Sequence, residues 1–246
     1  MVLVVGLSVG LGGCTTPLPT TAQLMQMTES DMRTSLELDV ADVGYHVIDA
    51  DTGAVLASQN ADAAFPPAST AKLATMIAAL GILGPEHRFR TKLLARGTLK
   101  GSVLSGDIVL QGDGDPLFSA NDLRALAVRL ADIGIKRVDG RFLYHSTLPV
   151  FADIAPGQPV DAPYNQGVSG LNFEFNRVTW TKDSEGIYVT PDEAENLTPA
   201  LTPGNDVAGE LPVRAPNLLS ARMLQRFAAN EGVQLPSPAQ DTPPDG

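Results

Sequence analysis

The chain has 246 residues, of which 43% are hydrophobic, and a formal net charge of −11, so it is long enough for one or two domains with cores of their own. The acidic balance excludes a general nucleic-acid binder, which needs basic patches to neutralise phosphates. A single cysteine, Cys14, excludes an internal disulfide framework and a cysteine-based metal site.

Val2 to Leu11 is an apolar run too short to span a bilayer. Leu11-Gly12-Gly13-Cys14 follows and resembles the lipobox of bacterial lipoproteins, in which the cysteine thiolate takes the lipid. The alternative is an ordinary cleavable signal whose tail carries a cysteine. Signal peptides begin with positive charge, yet the first basic residue here is Arg33. The expected start of the protein therefore lies upstream of Met1. On either reading residues 1–20 are a signal and linker, outside the fold.

Leu24 to Leu38 is polar with spaced Leu24, Met27 and Leu38, the pattern of a first helix. Tyr45 to Asp49 reads as a strand, Ala50-Asp51-Thr52-Gly53 as a turn, and Val55 to Ser58 as the return strand of a hairpin. Phe65-Pro66-Pro67-Ala68 then breaks the chain. From Ser69 the period changes. Leu73, Met76, Ile77 and Leu80 recur at i, i+3, i+4 and i+7, one face of an amphipathic helix that Gly84-Pro85 ends.

Thr91 to Ala95 and Asp107 to Gln111 read as strands, and Gly112 to Pro116 as a tight turn. Asp113 and Asp115 could suggest calcium, but no further ligands follow at the needed spacing and a turn is the simpler reading. His46, His87 and His145 lie far apart without ligand spacing and read as ordinary surface or core residues. Asn121 or Asp122 can cap a helix facing inward through Leu123, Leu126, Ala127 and Leu130. Val138 to Tyr144, Asn172 to Thr181 and Gly186 to Val189 read as further strands. Pro216 opens a last helix with Leu219, Met223 and Phe227 on one side, and Gly232 ends it. The Pro-rich polar tail after Pro236 reads as disordered.

Ser69-Thr70-Ala71-Lys72 is a Ser-x-x-Lys motif. Its spacing puts both side chains on one helix face, within reach of each other. The partial positive charge of a helix start disfavours an ammonium there and favours an amine that accepts a proton. A serine hydroxyl needs such a base to become a nucleophile. Free N–H groups at that end can also help hold an oxyanion. A capping serine followed by a solvated lysine is the plain alternative.

The flanks make the motif specific. Pro66 to Leu73, Leu83 to Thr91, Gly106 to Leu110, Gly112 to Pro116, Gly134 to Gly140, and Tyr164-Asn165 through Leu171-Asn172 together resemble the class C low-molecular-mass penicillin-binding proteins, a D-Ala-D-Ala carboxypeptidase/endopeptidase family. The resemblance runs from about Tyr45 to Gly232. It implies a mixed α/β (α+β) fold: a β-lactamase/transpeptidase-like domain, incomplete here and interrupted by a large mixed α/β insert. The implied boundaries are 24–89 for the N-terminal part of the transpeptidase domain, 90–213 for the insert, 214–235 for a helix returning to the first domain, and 236–246 for the tail. It also implies that the Ser69 helix is buried.

The same resemblance implies a serine-type carboxypeptidase that cleaves the terminal D-Ala, or a cross-link, in peptidoglycan stem peptides. Ser69 would be the nucleophile and Lys72 its base. β-Lactams would be trapped as acyl-enzymes, and neither cofactor nor metal is needed. The expected location is periplasmic, with the membrane reached at most through a lipid on Cys14. In some relatives an insert aspartate holds the charged end of the stem-peptide diamino acid. Asp161 falls near that place, with a solvated loop aspartate as the alternative. His145 stands where relatives usually carry an acidic residue.

Two departures qualify this. The family's Ser-x-Asn and Lys-Thr-Gly motifs are expected beyond the insert and are not in this chain after Val213. Ser169-Gly170-Leu171-Asn172 has the wrong spacing. The competing reading is a non-catalytic periplasmic cell-wall-binding lipoprotein derived from the same family. A class A β-lactamase fits less well, because of the long insert after the Ser69 helix.

Overall fold

The computed structural model describes residues 39–155, 157–185, 188–200 and 208–241. Cys14 with its lipobox and the helix expected over Leu24–Leu38 lie outside the described residues. The chain divides into two compact units, residues 1–87 and 88–246.

In the first unit β1 (Tyr45–Ile48) and β2 (Val55–Gln59) form the expected antiparallel hairpin, with His46 opposite Ser58. Asp49 closes its turn. One carboxylate oxygen accepts from both the backbone N–H and the hydroxyl of Thr52, each at 2.7 Å. Those bonds, the hydroxyl's first, hold the Asp49 carboxyl below its ordinary range. Gly53 takes φ 72°, as the turn requires. A 3₁₀ turn at Ala68–Thr70 leads into helix α1 (Ala71–Leu83). Gly84, at φ 82°, donates its N–H to the Leu80 carbonyl and ends the helix.

The spaced apolar residues of α1 are present, but the helix is apolar on nearly every face, not amphipathic, and it is not buried. Leu73, Met76, Ile77 and Leu80 are 56%, 59%, 71% and 58% exposed. The resemblance implied a buried helix, and within this chain that helix is exposed. Among the described residues of this unit the only sheet is one two-stranded hairpin, too little surface to cover a helix.

In the second unit β3 (Lys92–Lys100) and β4 (Val103–Gly112) form one long antiparallel ribbon, longer than the two strands read from the sequence. Gly97 faces Gly106 across it, where a Cβ on either would overlap the partner's backbone. The stretch expected as one strand, Val138 to Tyr144, splits into β5 (Arg137–Val138) and β6 (Phe142–Ser146), both parallel to β4. The break falls at Gly140, whose N–H bonds the Gly106 carbonyl at 3.1 Å and where a Cβ would overlap that oxygen.

The tail expected to be disordered instead adds β10 (Pro238–Gln240), parallel to β6. Composition could not show this, because strand pairing there uses backbone groups that any sequence carries. The sheet order is β10-β6-β4-β3, with β5 beside β4. A second, antiparallel sheet has the order β8-β7-β9, from β7 (Arg177–Lys182), β8 (Tyr188–Val189) and β9 (Ala208–Pro212). The sequence reading missed β9.

Helix α2 (Ala120–Asp132) has a capping box. Ser119, not Asn121 or Asp122, is its N-cap. Asp122 reciprocates, accepting the Ser119 N–H at 2.8 Å. Helix α3 (Pro216–Asn230) opens on proline as expected. It packs into the core of the second unit. Leu104, Ile108, Leu110 and Phe142 from the main sheet meet Leu123, Ala127 and Leu130 of α2 and Leu219, Leu224 and Phe227 of α3. Trp180 and Leu211 join from the second sheet. Each large apolar side chain buried here contributes about 1.5–3 kcal/mol relative to leaving it in water. The fold is mixed α/β, as expected. Among the described residues no helix is long and apolar enough to cross a membrane.

Candidate active site

Pro66 and Pro67 hold the approach to the helix extended or turned, because proline restricts both itself and its predecessor. Thr70 then fastens the turn. Its N–H donates to the Pro67 carbonyl at 2.9 Å, and its hydroxyl donates to the same oxygen. Between them Ala68 sits at φ 42°. That left-handed conformation costs a non-glycine residue about 1–2 kcal/mol, and strain of this kind collects beside functional groups.

The turn sets Ser69 at the mouth of α1, with Lys72 one helical turn on. The Lys72 Nζ donates to the Ser69 Oγ at 2.8 Å, and both residues are exposed. The sequence pattern pointed to this contact, and the structure makes it. The cluster contains a hydroxyl and an amine in hydrogen-bond reach, the minimum for a serine nucleophile and its base.

Asp161 lies in the second unit, half-buried in the loop between β6 and β7. Arg214 ties that loop down. Its guanidinium donates to the carbonyls of Ala152 at 2.9 Å, Asn165 at 2.5 Å and Val160. Asp113 accepts the Arg90 N–H at 2.6 Å and so ties together two distant segments, while Asp115 accepts the Leu117 N–H at 2.9 Å in a local turn.

Ser169-Gly170-Leu171-Asn172 belongs to a buried polar network that the sequence reading did not find. Asn172 Oδ1 accepts from the Ser169 N–H at 3.2 Å and from Asn176 Nδ2 at 2.8 Å. Asn176 also bonds Gly167 and Phe173, and Asn217 accepts the Leu171 N–H at 3.3 Å. The network supports three successive left-handed residues, Glu174, Phe175 and Asn176, at φ 45°, 56° and 55°. Amides three or four residues apart in an apolar stretch were the available signal.

A serine and a lysine in hydrogen-bond contact one turn apart at a helix start are the pair that the Ser-x-x-Lys class of active-site-serine peptidases carries. Residues 26–204 match the D-Ala-D-Ala carboxypeptidase 3 (S13) family, and the chain belongs to that family. Over 124 residues it is 39% identical to the D-alanyl-D-alanine carboxypeptidase of Actinomadura sp. (strain R39), a match covering 48% of this chain and 22% of that protein. Over 100 residues it is 29% identical to the D-alanyl-D-alanine carboxypeptidase DacB of Haemophilus influenzae, covering 41% of this chain and 21% of the other.

The fold is similar to the crystal structure of penicillin binding protein 4 (dacB) from Haemophilus influenzae, with a TM-score of 0.64 at 18% identity over 82% of this chain and 54% of that one. The same protein complexed with a novel β-lactam matches at a TM-score of 0.58 and 17% identity, over 82% of this chain and 52% of the other. The chain thus spans about half the length of this solved relative.

Proposed function

We propose that this chain carries the nucleophile and base of a serine D-Ala-D-Ala carboxypeptidase/endopeptidase acting on peptidoglycan stem peptides in the periplasm. The observation that carries the reading is the Lys72 Nζ–Ser69 Oγ contact of 2.8 Å in a chain of this family. With the lysine neutral, the same contact lets Nζ take the Ser69 proton as Oγ attacks the carbonyl of the penultimate D-Ala. An ester forms, the C–N bond breaks, and the proton passes to the departing D-Ala amine. Water then hydrolyses the ester and regenerates Ser69. A β-lactam follows the first half of this path, because its ring amide opens onto Ser69 in the same way. Asp161 is the proposed partner of the charged end of the stem-peptide diamino acid.

The test is labelling of the chain with a fluorescent penicillin, read by intact mass beside Ser69→Ala. An adduct present in the parent chain and absent from Ser69→Ala supports the reading. A folded chain that forms no adduct favours the non-catalytic, wall-binding alternative for this polypeptide.

A further inference from the structure

We infer that the second unit has a small pocket for the acetamido group of an N-acetylated amino sugar. A cavity of about 210 Å³ opens where the parallel strands β6 and β10 reach their C-terminal ends and α3 begins. Open α/β sheets take their ligands at such ends. Tyr144, Leu148, Val150, Asn217, Gln240 and Asp241 line it.

Asn217 is the residue that asks for a ligand. It is 7% exposed, and its Oδ1 is already used by the Leu171 N–H at 3.3 Å. Among the described residues its Nδ2 has no acceptor. Nor is that nitrogen sealed in protein, since Arg177 Nε is the enclosed side-chain polar atom without a partner among the described residues. The spare donor is thus open at the cavity that Asn217 lines. It sits in the first turn of α3, where Pro216 carries no N–H and the Leu218 and Leu219 N–H groups donate to the Ala215 carbonyl, so the Asn217 side chain is the donor the pocket offers.

The rest of the lining selects among oxygen ligands. Asp241 stands against a free carboxylate, although Arg96 pairs with it at 3.2 Å. A neutral carbonyl fits instead. Gln240 and Asp241 offer oxygens to an N–H beside that carbonyl. Leu148 and Val150, 45% and 49% exposed, offer apolar surface to a methyl group. A methyl, a carbonyl and an N–H, with the carbonyl in the middle, are an acetamido group. The cavity has room for this group and part of a sugar ring, so the remainder of a glycan would run over the surface. That the sugar belongs to a cell-wall glycan strand rests on the function proposed above. The chemistry of the pocket does not.

The test is saturation-transfer NMR of the full chain with chitotriose, with cellotriose as the counterpart lacking acetamido groups. N-acetyl-D-alanine methylamide serves as a peptide-like amide. Chitotriose should bind, with the strongest saturation at its acetamido methyls, and the other two should not. Asn217→Asp keeps the acceptor for Leu171 and removes the donor, and it should weaken chitotriose binding tenfold or more. Should that variant fail a thermal-melt check, Val150→Asp at the exposed rim should produce the same loss. Absence of chitotriose binding, equal binding of cellotriose, preference for the peptide-like amide, or unchanged affinity in a folded variant would each overturn the proposal. Penicillin labelling of Ser69 in the unmutated chain, beside its chitotriose binding, separates the two readings. Sugar binding without labelling sinks only the carboxypeptidase reading, and labelling without sugar binding sinks only the pocket.

Discussion

Gly112 and Gly170 meet backbone to backbone. A Cβ added to either would overlap the other's carbonyl oxygen. The Gly170 carbonyl also accepts the Gly114 N–H at 2.9 Å, and the Gly170 N–H donates to Ser146 Oγ at 2.7 Å. This contact joins the end of β4 to the buried Ser169–Asn176 network, so any side chain there must push the two segments apart.

Gly170→Ala should therefore destabilise the second unit by about 2–4 kcal/mol, the range for forced backbone movement in a packed interior. Gly101→Ala meets no atom but sits at φ 60°, and it should cost only about 1 kcal/mol. Urea melts of the two variants would check the ratio.

Phe175 is 59% exposed and sits at φ 56°, in the middle of three left-handed residues. Phe175→Gly loses little packing and relieves about 1 kcal/mol of backbone strain. Its melting temperature should rise by roughly 2–4 °C, measured by calorimetry. A fall in Tm would mean that the phenyl ring is held by contacts worth more than the strain.

The Asp107 carboxylate accepts from Arg141 Nη2 at 2.6 Å, Nε at 3.1 Å and the Arg141 N–H at 2.8 Å. The Arg141 side-chain bonds, first among the causes, hold the Asp107 carboxyl below its ordinary range. The folded state thus binds that proton less tightly than the unfolded chain. The stabilisation is complete above the unfolded value and is lost as pH falls through the depressed folded one. Asp107→Asn should flatten the acid limb of the stability profile, followed by denaturation between pH 2 and 7.

Burial raises the Tyr144 hydroxyl above the usual tyrosine value. Here the sign is opposite. The folded state binds the proton more tightly, so the stabilisation is full below the unfolded value and declines as pH rises through the folded one. Tyr144→Phe should remove this alkaline slope in melts taken from pH 8 to 11.

Lys72→Ala should slow penicillin acylation of Ser69 by about 10²–10⁴-fold, the usual worth of a general base. Lys72→Arg should not rescue the rate, because a guanidinium stays charged and cannot accept the proton. Stopped-time labelling of both variants measures this. Arginine rescue would show that charge, not proton transfer, is what Ser69 needs.

The hairpin, α1 and α3 could be read from the chain because each rests on local rules. Gly53 supplies a positive φ, Leu73 to Leu80 repeat with helical period, and Pro216 and Gly232 mark a start and a stop. The Ser69–Lys72 contact was legible for the same reason, since three-residue spacing on a helix becomes proximity without help from the rest of the fold. Sequence alone therefore determined the family and the pairing of Ser69 with Lys72.

Tertiary structure decided everything that joins distant residues. The Asn172–Asn176–Asn217 network, the Gly112–Gly170 approach and the placement of Pro238–Gln240 beside β6 bring together groups far apart in the chain. Burial also belongs to this level. α1 is apolar on nearly every face and exposes its large side chains, whereas α3 buries a single apolar stripe against a sheet. Periodicity states which face of a helix is apolar, but only a neighbouring surface can remove that face from water.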